Sequence, residues 1–125
     1  MAEKNRPGIF VVDDEPIIAS TLAVILNSSG FAATAFTNPL EALRSAEIQS
    51  PDFLITDVVM PQLNGIDLGV QFKALYPNCR ILLFSGQAET AGFIESARKN
   101  GHNFTLLAKP FHPNDLMAAI EMIDL

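Results

Sequence analysis

The stretch Phe53-Leu54-Ile55-Thr56-Asp57-Val58-Val59-Met60-Pro61, followed at short range by Asn64-Gly65, decides how the rest of the chain is read. An apolar run ends on a carboxylate, and a proline and a glycine then turn the chain, so Asp57 is expected at the end of a buried strand. Such strand ends are where α/β sheets bind ligands and do chemistry. A lone aspartate before a turn also has an ordinary reading, because its side chain bonds readily to nearby backbone. What the other strands deliver beside Asp57 decides between the two.

Upstream, Gly8-Ile9-Phe10-Val11-Val12 is a short continuous apolar run suited to a strand buried on both faces, and it ends in Asp13-Asp14-Glu15. Pro16 opens a helix in which Ile18, Leu22, Ile25 and Leu26 recur at helical spacing until Ser28-Ser29-Gly30 stops it. Phe31 to Phe36 has weaker β propensity and suits an edge strand. A second helix starts at Asn38-Pro39-Leu40-Glu41, with Asn38 as cap and Glu41 able to reach back, and Ser50-Pro51 closes it.

Downstream of Gly65 a helix carries Leu68, Phe72 and Leu75 on one face up to Tyr76-Pro77-Asn78. Arg80 to Phe84 forms a fourth apolar strand ending in Ser85-Gly86, and a fourth helix is read from about Ala88 to Asn100, terminated by Gly101. Phe104 to Ala108 is the last strand, ending in Lys109-Pro110. Pro113 starts a final helix through Leu116, Ile120 and Ile123.

Five strands alternating with five helices imply an α/β fold: a parallel five-stranded sheet covered by helices on both faces, a (βα)5 three-layer sandwich. Right-handed crossovers favour the flavodoxin-like strand order 2-1-3-4-5. The weaker second strand then falls on an edge, and one domain spans residues 1–125.

Composition narrows the function. A formal charge of −6 with few, scattered basic residues disfavours nucleic-acid binding through this domain. No apolar stretch approaches the roughly 20 residues that span a bilayer, and the N-terminus lacks the apolar middle of a signal peptide. A soluble cytoplasmic protein is expected, without a membrane role. The single Cys79 offers neither an intramolecular disulfide nor a zinc cluster and reads as a packing residue.

In a parallel sheet all strand C-termini lie at one end, so Asp13 and Asp14, Asp57, Ser85 and Lys109 are expected to share one crevice. Carboxylates held close repel one another unless a cation is bound, and hard oxygen donors favour Mg²⁺. A carboxylate can also attack phosphorus to form an aspartyl phosphate. That chemistry asks mainly for positioning and positive charge, which Mg²⁺ and Lys109 would supply, while Ser85 offers a hydroxyl donor.

The acidic pair Asp13-Asp14, the stretch Asp57-Val58-Val59-Met60-Pro61 with Gly65, Ser85-Gly86 and Lys109-Pro110-Phe111, in this order and spacing, resemble the receiver domain of two-component response regulators, in particular its chemotaxis-regulator-like members. The resemblance covers nearly the whole chain. It implies that Asp57 is the phosphoacceptor, charged by a histidine kinase or phosphotransfer protein. It further implies Asp14 and Asp57 as direct Mg²⁺ ligands, the backbone carbonyl of Val59 as another, and Asp13 acting through a metal-bound water. Lys109 would pair with the phosphoryl group, Ser85 would be the switch hydroxyl, and Lys109-Pro110 is where the family often has a cis peptide.

Two positions depart from the family pattern. Thr is common where Ser85 stands, and the usual Tyr or Phe three residues before the lysine is Leu106, with Phe104 two residues earlier on the same face. The segment between Ser85 and Lys109 is also slightly longer than usual, so the loop around Gly101-His102-Asn103 is expected to differ in shape.

Taken singly, each residue has a structural reading. Asp13 and Asp14 suit a helix-capping turn, His102 and His112 suit loop and cap positions, and Met60, Met117 and Met122 suit packing or partner contact. Taken together they describe a phosphorylation-controlled switch of the surface made by helix 4, strand 5 and helix 5. It would be no enzyme beyond catalysing its own phosphorylation and dephosphorylation. A constitutive docking module of the same fold and an aspartyl-phosphate phosphatase are the alternatives. The expected output is a downstream protein or an attached output domain, and homodimerisation through helix 4 or helix 5 is compatible with this reading.

Overall fold

The computed structural model describes residues 6–86 and 90–124. Five strands, β1 (Gly8–Val12), β2 (Ala32–Phe36), β3 (Phe53–Asp57), β4 (Arg80–Ser85) and β5 (Thr105–Ala108), alternate with five helices. These are α1 (Pro16–Ser28), α2 (Pro39–Ile48), α3 (Gly65–Leu75), α4 (Thr90–Lys99) and α5 (Pro113–Ile123). All pairings are parallel, in the order β2-β1-β3-β4-β5. The flavodoxin-like arrangement expected from the alternation is the one observed. The expected start of helix 4 at Ala88 lies outside the described residues.

Side chains alternate across the sheet and build two cores. Ile9, Val11, Phe53, Ile55, Leu82 and Phe84 pack with α1 and α5, whereas Val12, Leu54, Ile81 and Leu83 pack with α2, α3 and α4. β3 is buried at all five positions and therefore carries no alternation, as a central strand of a two-sided sheet requires. β2, made largely of alanines, lies on one edge and is mostly exposed. Its outward-facing backbone at Ala33 is covered by Asn27, whose carboxamide accepts from Ala33 N–H at 2.9 Å and donates to the Ala33 carbonyl at 3.1 Å. The side chain thus stands in for a neighbouring strand.

The helices start and stop where their sequences direct. Pro16, Pro39 and Pro113 occupy first-turn positions. Asn38 accepts from Leu40 N–H, Asn64 from Asp67 N–H, and His112 from Asn114 N–H, at 2.9, 2.8 and 3.0 Å. Asp115 reaches back to His112 N–H at 3.0 Å, so His112 is a cap residue, as expected. Gly30 and Gly101, with φ of +100° and +92°, end α1 and α4 in the left-handed conformation that glycine tolerates.

Two expectations are corrected. Leu75 is 59% exposed although Leu68 and Phe72 are fully buried, because α3 ends there and the ring of Tyr76 packs on Phe72 at 5.7 Å instead. The acidic pair does not cap α1 either: Glu15 is its N-cap, without a side-chain cap bond, and Asp13 Oδ1 accepts from Glu15 N–H at 2.9 Å. Among the described residues no helix is long and apolar enough to cross a membrane.

Candidate functional site

The parity of the strands aims the site. Ile9 and Val11 lead to Asp13, Phe53 and Ile55 lead to Asp57, and Leu107 leads to Lys109, so all three charged side chains emerge on the α1/α5 side of the sheet end. Ser85, following Ile81 and Leu83, emerges on the opposite side, which it shares with Leu106 through the Leu83–Leu106 pairing. The ladder continues past the strand ends, with Asp13 N–H donating to the Phe36 carbonyl and Lys109 N–H to the Ser85 carbonyl at 3.1 and 3.0 Å. Backbone bonds therefore hold the acidic and basic loops in register with the sheet.

Asp57 ends β3 and is only 8% exposed, with Oδ1 accepting from Val58 N–H at 2.9 Å. Asp13 is fully buried, whereas Asp14 is exposed. One oxygen from each of the three aspartates lies within 4.8 Å of the others. Lys109 Nζ sits 3.4 Å from Asp13 Oδ2 and 3.7 Å from Asp57 Oδ1. Among the described residues, one cation thus answers the three clustered carboxylates. Burial pushes the Asp57 carboxyl up to about 6; Lys109 pulls it back, while Asp13 and Asp14 push it further up. Asp13 is raised for the same first reason, partly offset by the Glu15 N–H and Lys109.

Such a site carries uncompensated negative charge on hard oxygen donors, two of them largely out of water. A small divalent cation that keeps part of its water shell fits this donor set. The sequence residues Asp13, Asp14, Asp57 and Lys109 are brought together, and Ser85, itself buried, closes β4 beside them. Val59 follows in the β3–α3 loop with its side chain exposed. The Lys109–Pro110 peptide is cis.

Gly65 has a role that its reading as a turn residue missed. Its φ is ordinary, but a Cβ there would fall 2.0 Å from the Asp57 carbonyl oxygen. Only glycine lets the start of α3 approach the end of β3 so closely, and Gly65 N–H donates to the Val58 carbonyl at 2.8 Å. Thr56 was also missed: fully buried, it donates its hydroxyl to the Asp57 carbonyl at 2.9 Å. Position on the strand was its only signal. Leu106 is 40% exposed, whereas Phe104 is partly buried against the α3 core and stacks on His102 at 5.7 Å. Phe104 lies just ahead of β5, at the end of the strand away from Lys109, with its ring against Gly69 of α3.

Comparison with known proteins adds to this geometry. The model of the response regulator receiver domain family matches residues 9–121. The transcriptional regulatory protein CreB of Escherichia coli is 31% identical over 119 residues, which cover 95% of this chain and 51% of that protein. The chain thus spans about half the length of that relative. The chemotaxis protein CheY of Thermotoga maritima is 28% identical over 116 residues, covering 92% of this chain and 95% of the relative. The crystal structure of a response regulator receiver domain protein from Clostridium thermocellum superposes with a TM-score of 0.81 at 29% identity over 94% of each chain. An acidic strand-end crevice answered by one lysine, on a sheet of order 2-1-3-4-5, is thus accompanied by a family match over nearly the full length, and the chain belongs to the receiver domains of two-component response regulators.

Proposed function

We propose that the chain is a phosphoacceptor switch: Asp57 takes a phosphoryl group from the phosphohistidine of a kinase or phosphotransfer protein, and the surface of α4, β5 and α5 responds. The observation that carries this reading is the placing of Lys109 against both buried carboxylates, at 3.4 and 3.7 Å. In the transfer an Asp57 oxygen forms a bond to phosphorus as the phosphorus–nitrogen bond of the donor breaks, and the imidazole leaves with its electron pair and takes up a proton. Asp57 must be ionised to attack. Burial and the neighbouring Asp13 and Asp14 raise its carboxyl above the usual aspartate range in the metal-free chain, and Lys109 together with a bound cation would favour the ionised form.

Val58 N–H holds Asp57 Oδ1 and so fixes the carboxylate plane. Lys109 moves from the carboxylates to a phosphoryl oxygen and neutralises charge as it develops there. Asp14 and Asp57, with the Val59 carbonyl, would hold Mg²⁺ directly, and Asp13 would hold it through water. When bound, Mg²⁺ supplies positive charge at the phosphoryl oxygens. Ser85 donates its hydroxyl to another of these oxygens.

Because Ser85 and Leu106 share the α3/α4 side of the sheet, inward movement of Ser85 makes room beneath Leu106, and the half-exposed leucine follows. Leu106 takes the place of the family's aromatic readout, since Phe104 lies ahead of β5, packed on Gly69 and His102. The chain itself would catalyse only its own phosphorylation and dephosphorylation, in the cytoplasm, and pass the state to an attached domain or a separate protein. Incubation with acetyl phosphate and Mg²⁺ is expected to give a base-labile adduct of one phosphoryl group. Absence of the adduct, or its persistence in Asp57→Ala, rejects the proposal.

A further inference from the structure

Lys109 reaches the carboxylates across an aromatic ring. Phe84 immediately precedes Ser85 and pairs in register with Asp57 on one side and Leu107 on the other. Neighbours in register point to the same face, so the Phe84 ring lies between the Asp57 carboxylate and the strand that leads to Lys109. Phe84 is fully buried, its carbonyl accepts from Val58 N–H at 3.1 Å, and Phe111 meets its ring nearly edge-on, 6.0 Å between centroids. Lys109 Nζ stands 4.9 Å from the Phe84 centroid, within cation–π range.

The ammonium donates one long hydrogen bond, to Asp13 Oδ2, and has a further contact beside the carboxylates. Its distances to Asp13 and Asp57, 3.4 and 3.7 Å, exceed the roughly 2.7–2.9 Å of a charge-assisted hydrogen bond. The third contact is the ring, whose negative face attracts a cation without demanding hydrogen-bond geometry. A further carboxylate in that place would cancel the charge of Lys109, and an aliphatic side chain would leave it to Asp13 and Asp57 alone. A ring does neither.

We propose that Phe84 is a positioning residue for phosphoryl transfer, its face holding the Lys109 ammonium beside Asp57 while leaving its full charge for the phosphoryl oxygens. The ammonium shifts from carboxylate to phosphoryl oxygen without leaving the ring. This inference rests on the reading of Asp57 as phosphoacceptor.

The test replaces Phe84 by 4-fluoro-, 3,5-difluoro- and pentafluorophenylalanine in the full chain, which nearly preserves shape while draining negative charge from the ring face. Two quantities are read: the rate of phosphorylation by acetyl phosphate with Mg²⁺, and the NMR shift of the Lys109 Cε protons in metal-free protein, assigned with Lys109→Arg. The rate is expected to fall in graded steps, roughly three- to tenfold across the series. The Cε protons are expected upfield in the parent and at ordinary values in Phe84→Leu. Should the pentafluoro protein not fold, the mono- and difluoro steps carry the gradation. Equal rates across the series with a phosphorylated parent, or Cε protons without a ring shift, overturn the positioning role alone. A parent that takes no phosphoryl group overturns the phosphoacceptor reading and this inference with it.

Discussion

Removing the charge of Asp57 should stabilise the metal-free fold. The folded-state carboxyl is raised from 3.8 to about 6, chiefly by burial, so the folded protein binds its proton more tightly than the unfolded chain. The contribution of this group is fully present below the unfolded pKa of 3.8 and is lost as pH rises through about 6. At 1.36 kcal/mol per pK unit, the loss at neutral pH is on the order of 3 kcal/mol. Asp57→Asn keeps an oxygen to accept from Val58 N–H and removes the charge, but it also deprives Lys109 of one partner, so a net gain of about 1–3 kcal/mol is expected. Urea unfolding followed by circular dichroism in EDTA, at about pH 5 and about pH 7.5, measures it. The variant should exceed the parent at the higher pH by a margin that narrows at the lower. A variant less stable at neutral pH, or a difference independent of pH, would refute the picture of an undercompensated carboxylate.

Other perturbations probe the scaffold and the metal. Mg²⁺ should raise the parent's midpoint in proportion to the logarithm of its concentration, and the shift should be largely lost in Asp14→Asn, as thermal unfolding would record. Gly65→Ala forces a methyl group against the Asp57 carbonyl and should cost more than about 2 kcal/mol in denaturant unfolding; a near-neutral result contradicts the close approach. Asn27→Ala removes both bonds to Ala33 and should cost about 1 kcal/mol, with faster amide exchange at Ala33 as its local signature. Cys79, buried and with its thiol pushed up to about 11, should react with a disulfide reagent at about pH 8 only as fast as the fold opens.

The fold was legible because four of the five strands are marked at their C-terminal ends. Val12, Asp57, Ser85 and Ala108 close apolar runs just where proline, glycine or charge takes over, and the alternation with helices leaves one common topology. The site was legible for the same reason: a parallel sheet brings all its strand ends to one edge, so Asp13, Asp14, Asp57, Ser85 and Lys109 converge without any contact having to be guessed. What stayed hidden depends on side-chain direction and free space. Gly65 looked like a turn residue because sequence cannot distinguish a need for positive φ from a need for no Cβ. Phe84 looked like ordinary core because only register places its ring beneath Lys109. Leu75 satisfied the helical period and still faces solvent, since periodicity does not say where the neighbouring layer ends.

The central claim is that Asp57 is the residue that accepts the phosphoryl group, and chemical mapping tests it most directly. After treatment with acetyl phosphate and Mg²⁺, borohydride reduces an acyl phosphate to an alcohol, and peptide mass spectrometry locates it. The account predicts reduction at residue 57, dependent on Mg²⁺ and abolished in Asp57→Asn. Reduction at Asp13 or Asp14 in the parent, or none anywhere, would contradict it.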